Sequence, residues 1–172
     1  MNTPTLRTLC RALPLAALLA AAAPAQAQAQ TLTFNDLLSS VQVPTPYQGF
    51  QWGAGWYAYK TTDKPTVYAS ASTASLFVRR FDGKPFFFDG ADFWSRRGLD
   101  ANGAFWFVLY LKGKTVYTGV NNSKARMRFT ATPTLLKPPY TGAVDMIALA
   151  FPSSGKDWNH LAMDNFRFRP AP

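Results

Sequence analysis

Phe166-Arg167-Phe168-Arg169, near the end of the chain, alternates apolar and charged side chains, and Arg126-Met127-Arg128-Phe129 has the same pattern. Successive side chains of a β-strand point to opposite faces of a sheet. Each stretch therefore predicts a strand with Phe or Met on the buried face and arginine towards solvent. Neither stretch has the 3.6-residue period of an amphipathic helix. The fold is expected to be built from strands.

Further strands are expected before and between these two stretches, separated by turn signals at intervals of roughly ten residues. Asp82-Gly83 and Lys112-Gly113-Lys114 are typical of tight hairpin turns. Only residues 34–40 are expected to form a short helix. This pattern predicts an all-β, jelly-roll-like β-sandwich, with a closed barrel as the second option. The expected strands cover residues 49–52, 66–69, 74–81, 85–88, 104–111 and 144–151.

The composition agrees with an aromatic-rich β domain. The 172 residues include 14 Phe, 5 Trp and 7 Tyr, and all nine acidic residues are aspartates. This excludes a disordered chain, a helix bundle and a disulfide scaffold. We expect residues 28–172 to form one domain, because that length suits a single core.

Residues 1–27 have the pattern of an export signal. Arg7 and Arg11 precede an apolar stretch at residues 12–23, which is too short to span a bilayer, and Ala25-Gln26-Ala27 suits a signal peptidase. Cleavage is expected before Gln28, and Ala27-Gln28-Ala29 allows an alternative site two residues later. This signal predicts a secreted or periplasmic protein without a transmembrane segment. Cys10 leaves with the signal, so disulfides, thiolate metal sites and a cysteine nucleophile are not expected.

Three short motifs resemble a group of secreted bacterial β-sandwich proteins that often carry a PEP-CTERM sorting signal. These are Thr33-Phe34-Asn35-Asp36-Leu37, Phe88-Asp89-Gly90-Ala91-Asp92-Phe93 and Met163-Asp164-Asn165-Phe166. The group is similar to jelly-roll carbohydrate-binding modules, so the resemblance implies glycan binding. The chain ends Arg169-Pro170-Ala171-Pro172, without the sorting tail, so anchoring by that route is not expected.

The resemblance also implies one structural calcium ion where the first and last strands meet. Asn35, Asp36 and Asp164 match the positions of its ligands, although the related pattern more often has an aspartate where Asn35 stands. Calcium needs six to eight oxygen ligands, and these side chains supply only part of that set. The alternative is that Asp36 caps a turn and Asp164 accepts backbone hydrogen bonds.

The candidate ligand-binding residues combine aromatic rings with arginines. Trp56 and Tyr57 follow glycine, and Trp94 precedes Arg96 and Arg97 at an expected loop. These glycine and charged neighbours predict that Trp56 and Trp94 lie on exposed turns. Sugars stack on flat aromatic rings, and polar side chains nearby bind their hydroxyl groups. The alternative is that these aromatic residues belong to the core.

The charge suggests a second class of ligand, an anionic envelope polymer. The chain carries a net charge of +9, and the alternation places Arg126, Arg128, Arg167 and Arg169 towards solvent. Such charge attracts acidic polysaccharide at long range. Nucleic acid is not an expected partner, because the chain has an export signal and no nucleic-acid motif.

No catalytic constellation stands out in the sequence. His160 is the single histidine, so a serine triad would have to use it with Asp157 or Asp164, and no nucleophile elbow is present. Asp89 and Asp92 are expected to bind loop amides rather than to hydrolyse glycosides. The sequence predicts a non-enzymatic protein that binds carbohydrate or an envelope polymer. The alternative is a structural or protein-interaction module.

Overall fold

The structure, a computed structural model, describes residues 28–62, 64–97, 102–120, 122–152 and 156–172. The predicted export signal lies outside the described residues. Within them, thirteen strands form two antiparallel sheets. The strands are β1 (Gln30–Leu32), β2 (Val41–Gln42), β3 (Phe50–Trp52), β4 (Trp56–Thr61), β5 (Lys64–Ala71), β6 (Leu76–Arg80), β7 (Phe86–Ser95), β8 (Gly103–Leu111), β9 (Lys114–Thr118), β10 (Met127–Phe129), β11 (Thr134–Leu136), β12 (Met146–Ala150) and β13 (Leu161–Pro170).

The seven-stranded sheet has the order β11-β7-β13-β5-β4-β2, with β1 also pairing with β13. The six-stranded sheet has the order β10-β8-β12-β6-β3, with β9 also pairing with β8. Many strands in each sheet pair with strands that are distant in sequence. Strand β13, for example, lies between β7 and β5. The all-β sandwich predicted from the sequence is confirmed.

The core between the sheets is made largely of phenylalanine. Phe50 meets the rings of Phe86, Phe166 and Phe168 edge to face, with centroids 5.3, 5.3 and 4.8 Å apart. Each such pair stabilises the fold by roughly 0.5–1.5 kcal/mol beyond the burial of its surface. As the alternation predicts, Phe166 and Phe168 are buried while Arg167 and Arg169 face outwards.

A bulge in β13 changes the partner of that strand. Ala162 and Met163 pair with β5, whereas Phe166 and Phe168 pair with β1. Between them, Asn165 has a φ of 51°, and the register with β7 shifts. Opposite the bulge, Gly90 has a φ of +107°, and a Cβ there would come within 2.8 Å of the Leu135 side chain. Only glycine fits this position without strain.

The hairpin prediction at Lys112-Gly113-Lys114 is confirmed, whereas the hairpin prediction at Asp82-Gly83 and the helix prediction are wrong. Lys112 and Gly113, with φ values of 51° and 73°, join the paired strands β8 and β9. Gly83 also has a positive φ of 68°, but its turn links β6 in the six-stranded sheet to β7 in the seven-stranded sheet. Residues 34–40 form turns instead of a helix. Phe34 is buried between Tyr47 and Trp52, and this packing overrides the weak local preference for a helix.

Candidate functional site

The expectation that Trp56 and Trp94 lie on exposed turns is wrong. Trp56 begins β4, points into the core and is 1% exposed. Trp94 lies within β7, on the outer face of the seven-stranded sheet, and is 3% exposed in a small cluster with Tyr59, Tyr68 and Ala162. Neither ring is accessible for stacking on a sugar, because core and cluster packing covers both.

The other predicted ligand-binding residues are more accessible but do not converge. Tyr57 is half-buried, with its neighbours Trp56 and Ala58 buried on the opposite side of β4. Arg96 and Arg97 are exposed just after β7. The Arg96 guanidinium lies 5.4 Å from the centroid of the Tyr59 ring and donates to the Asn159 carbonyl at 2.9 Å. Arg96 thus packs against the cluster that contains Trp94.

The four arginines that were predicted to face solvent do not form one basic face. Arg167 and Arg169 lie on β13 in the seven-stranded sheet, where they pair with Asp92 and Asp89, each at 2.8 Å. Arg128 is exposed at the edge of the six-stranded sheet. The expectation that Asp89 and Asp92 bind loop amides is therefore wrong, because both accept from arginine side chains. These ion pairs neutralise Arg167 and Arg169, which are two of the four arginines predicted to form a basic face.

The predicted metal ligands have protein partners. Asn35 Oδ1 accepts the Val67 N–H at 3.1 Å, Asp36 accepts the Tyr47 hydroxyl, and Asp164 Oδ1 accepts the Asn165 N–H at 2.7 Å. Burial, the hydrogen bond to Asp36 and the charges of Asp36 and Asp164 raise the pKa of Tyr47. The Asp36 carboxylate is in direct contact with this phenol, and the charge of Asp164 also acts on it.

Among the described residues, no group of three or more His, Cys, Asp or Glu side chains is placed to hold a metal. The residues fit a calcium ion only in part, since their partners use some of the oxygen lone pairs. The ion stays a prediction.

His160 is buried and shares a hydrogen bond of 3.0 Å between its Nδ1 and Ser95 Oγ. Burial and the nearby Arg97 lower the pKa of His160, which favours a neutral ring. Asp157, which was considered as an orienting partner, accepts the Ala104 N–H at 2.9 Å instead. Ser95 is itself 2% exposed, so this pair sits inside the protein.

The outer face of the six-stranded sheet is a surface that sequence reasoning missed. On β8, the buried Phe105, Phe107 and Leu109 alternate with the half-buried Trp106, Val108 and Tyr110. The same alternation exposes Met146 and Ala148 on β12 and Phe77 and Arg79 on β6.

The register aligns these outward side chains into rows across the sheet. Ala148 lies opposite both Phe77 and Val108. Met146 lies opposite both Arg79 and Tyr110. Strand β3 extends the second row with Gln51, which is opposite Arg79. The outcome is a partly exposed aromatic and apolar face with a polar border, which we call the outer face of the six-stranded sheet.

A cleft of about 350 Å³ lies at the loop end of this outer face. Its lining residues come from the end of β6 and the turn after it, the end of β8 and the β8–β9 turn, and the start of β12. They are Arg79, Arg80, Phe81, Gly83, Tyr110, Gly113, Asp145 and Met146. Phe81 is 60% exposed. The Arg80 guanidinium pairs with Asp82 at 2.6 Å, and this hydrogen bond lowers the pKa of Asp82 to about 2.

The sequence contains a signal for the aromatic face but not for the cleft. The runs 104–111 and 144–151 are rich in apolar residues, which suits strands covered on both sides or strands whose second face carries exposed aromatics. The two possibilities differ only in the partners of the strands, which a single sequence does not reveal.

Comparison with protein-family models, with curated proteins and with solved structures found no match. Within the described part of the chain, no helix has the length and apolar character needed to cross a membrane.

Proposed function

We propose that the protein is exported and binds a polysaccharide across the outer face of the six-stranded sheet. The observation that carries this proposal is the alignment of half-buried Phe77, Trp106 and Tyr110 with apolar neighbours on one accessible face. Aromatic rings offer flat apolar surfaces to the C–H faces of sugars, and polar groups at the border fix their orientation.

The two polar borders of this face suit a ligand with many hydroxyl groups. Gln51 and Arg79 close one side, where Arg79 Nε donates to Gln51 Oε1 at 2.5 Å. On the other side, the Arg126 guanidinium lies 5.5 Å from the centroid of the Trp106 ring, whose Nε1 donates to the Asn122 carbonyl at 3.2 Å. These contacts hold the rings and charges in place before a ligand arrives, which reduces the entropic cost of binding.

A binding role without catalysis agrees with the burial of the candidate catalytic groups. Ser95 and His160 are enclosed, and Asp89 and Asp92 are paired with arginines. The amino-terminal pattern of basic, apolar and small residues supports export to the periplasm or beyond.

The test is retention of residues 28–172 on a panel of immobilised neutral and acidic polysaccharides at low and high salt. We expect retention on at least one polymer, and Phe77→Ala should weaken it at least tenfold. Ala148→Gln, which puts a larger neutral side chain between Phe77 and Val108, should weaken it as well without removing core contacts. Circular dichroism would confirm that both variants are folded.

Tyr57→Ala is the matched control, because Tyr57 is also a half-buried aromatic residue but lies in the other sheet. Its retention should equal that of the unmodified protein. Weaker retention of Tyr57→Ala, with unchanged retention of Phe77→Ala, would move the site to the seven-stranded sheet. Lack of retention on every polymer would favour the alternative of a structural or protein-interaction module.

A further inference from the structure

We propose that the cleft at the loop end of the outer face binds a sugar unit that carries a carboxylate, so that the polysaccharide is an acidic one. This inference rests on the proposed function and identifies the class of ligand. The residues that carry it are Arg79, which would pair with the carboxylate, and Phe81 and Tyr110, which would contact the ring of the same unit.

Arg79 differs from the arginines that are paired with an aspartate. Arg80, Arg167 and Arg169 each pair with an aspartate. Arg79 is exposed, and within the described part of the chain it has no carboxylate partner. Its bond to Gln51 uses only Nε–H, so the two terminal nitrogens remain available. A planar guanidinium matches a carboxylate with two parallel hydrogen bonds.

The walls beside Arg79 are apolar and accessible. Met146 is its cross-strand neighbour, and Tyr110 lies beyond Met146 on β8. Phe81, which is 60% exposed, follows Arg80 at the end of β6, where the Phe81 N–H donates to the Gly49 carbonyl at 3.0 Å. The rings of Phe81 and Tyr110 beside the Arg79 guanidinium suit a sugar ring that has an apolar face and carries a carboxylate. The volume of about 350 Å³ is within the usual range for small-ligand sites.

The two aspartates near the cleft are already engaged. Asp82 is paired with Arg80, and Asp145 Oδ2 accepts the Lys112 N–H at 2.5 Å. Lys84, Lys112 and Lys114 are sequence neighbours of the glycines that line the cleft. The five basic residues here outnumber the two aspartates, so the local field attracts an anion.

The experiment measures the affinity of an oligogalacturonate and of its carboxyl-reduced, neutral counterpart by calorimetry at about 0.15 M salt. We expect the acidic oligomer to bind at least tenfold more tightly. Arg79→Gln should remove most of that difference, because it should lower the affinity for the acidic oligomer far more than the affinity for the neutral one. Arg79→Lys should restore it only in part, because lysine keeps the charge but not the planar fork.

Arg128→Gln is the matched control, since Arg128 is also exposed on a strand of the six-stranded sheet but is not part of the cleft. It should change the affinity for the acidic oligomer less than twofold. An equal loss in both variants would mean diffuse charge attraction and would overturn the inference. Equally tight binding of dextran sulfate would overturn the assignment to a carboxylate.

The same measurements separate this inference from the proposed function. Equal affinity of the unmodified protein for the acidic and neutral oligomers would overturn the carboxylate subsite and leave polysaccharide binding intact. Lack of binding to either oligomer, together with lack of retention on the panel, would overturn both.

Discussion

Asp164 lies directly opposite Asp92 in the register of β13 and β7, and the two carboxylates have contrasting surroundings. Burial disfavours the charge of Asp92, but Arg167 donates to its oxygens at 2.8 and 3.0 Å and Asn165 donates at 2.7 Å, which together lower its pKa. Burial, with a further contribution from the charge of Asp92, raises the pKa of Asp164 to about 6. Asp164 is therefore the costlier of the two to ionise.

Asp164→Asn should increase the free energy of unfolding at pH 7 by about 1 kcal/mol, allowing for solvent screening of the carboxylate. The pKa of Asp164 is about 6 in the folded protein and near 3.8 as its ordinary value. Between these two pH values the folded state keeps a proton on Asp164 that the unfolded state has released. The free energy of unfolding therefore falls as the pH rises from about 3.8 to about 6. The amide keeps an oxygen for the Asn165 N–H.

The measurement is urea unfolding of both proteins at pH 4, 5.5 and 7 in the presence of a chelator. The advantage of Asp164→Asn should shrink towards pH 4, where Asp164 is neutral in the folded state. A difference that is the same at all three pH values would contradict the explanation by ionisation.

The predicted calcium ion gives a second test of the same carboxylate. If Asn35, Asp36 and Asp164 bind calcium, saturating calcium should raise the melting temperature at pH 7.5 by several degrees, because the ion binds only the native state. The rise should disappear at pH 5, where Asp164 is largely protonated, and in Asp164→Asn. Equal melting temperatures in chelator and calcium at pH 7.5 would leave only the hydrogen-bond roles of these residues.

Strand identity was predictable for several strands that bury one face, although β4, whose side chains also alternate, was not predicted. The alternation in Phe166-Arg167-Phe168-Arg169 assigns buried and exposed faces correctly, because a strand's period of two is a local property. Strands β1, β2 and β11 are three residues long or shorter. Their existence depends on hydrogen bonds to distant partners, so local sequence carries little sign of them.

The candidate site was less predictable, because exposure depends on what covers a residue. Trp94 precedes two arginines, yet Tyr68 meets its ring edge to face at 5.0 Å and helps to bury it. Phe77 and Trp106 stand in apolar runs that are typical of doubly covered strands, yet one face of their sheet is accessible. Neighbours in sequence do not reveal neighbours across a sheet.

Trp56→Ala should lower the free energy of unfolding by about 3–5 kcal/mol, because the buried indole would leave a cavity and its Nε1 would no longer donate to the Phe77 carbonyl. Tyr57→Ala, at the adjacent half-buried position, should cost less than about 2 kcal/mol. Chemical denaturation of both variants measures the difference. Equal losses at the two positions would contradict the assignment of Trp56 to the core and of Tyr57 to the opposite face of the seven-stranded sheet.

The buried His160 should make the protein less stable as the pH falls from 7.5 to 6. Burial and the charge of Arg97, with a further contribution from Arg96, lower its folded-state pKa, while Asp157 opposes them. The unfolded chain therefore takes up a proton near pH 6.5 that the folded chain resists, and stability is lost as the pH falls through that value. The loss should be less than about 1 kcal/mol over this range. Asp164, with a pKa of about 6, stabilises the folded state as the pH falls over the same range and opposes this loss, so the comparison is made in the Asp164→Asn background.

His160→Gln separates this titration from packing. The glutamine cannot titrate but keeps a polar group near Ser95 Oγ, which lies 3.0 Å from the histidine Nδ1. We expect the variant to be less stable than the unmodified protein at pH 7.5, because a flexible chain replaces the ring packed against Phe129. With Asp164→Asn also in place, the free energies of unfolding of the variant at pH 7.5 and 6 should nevertheless be equal. A loss of stability in the variant as large as that in the unmodified protein would assign the pH dependence to another group.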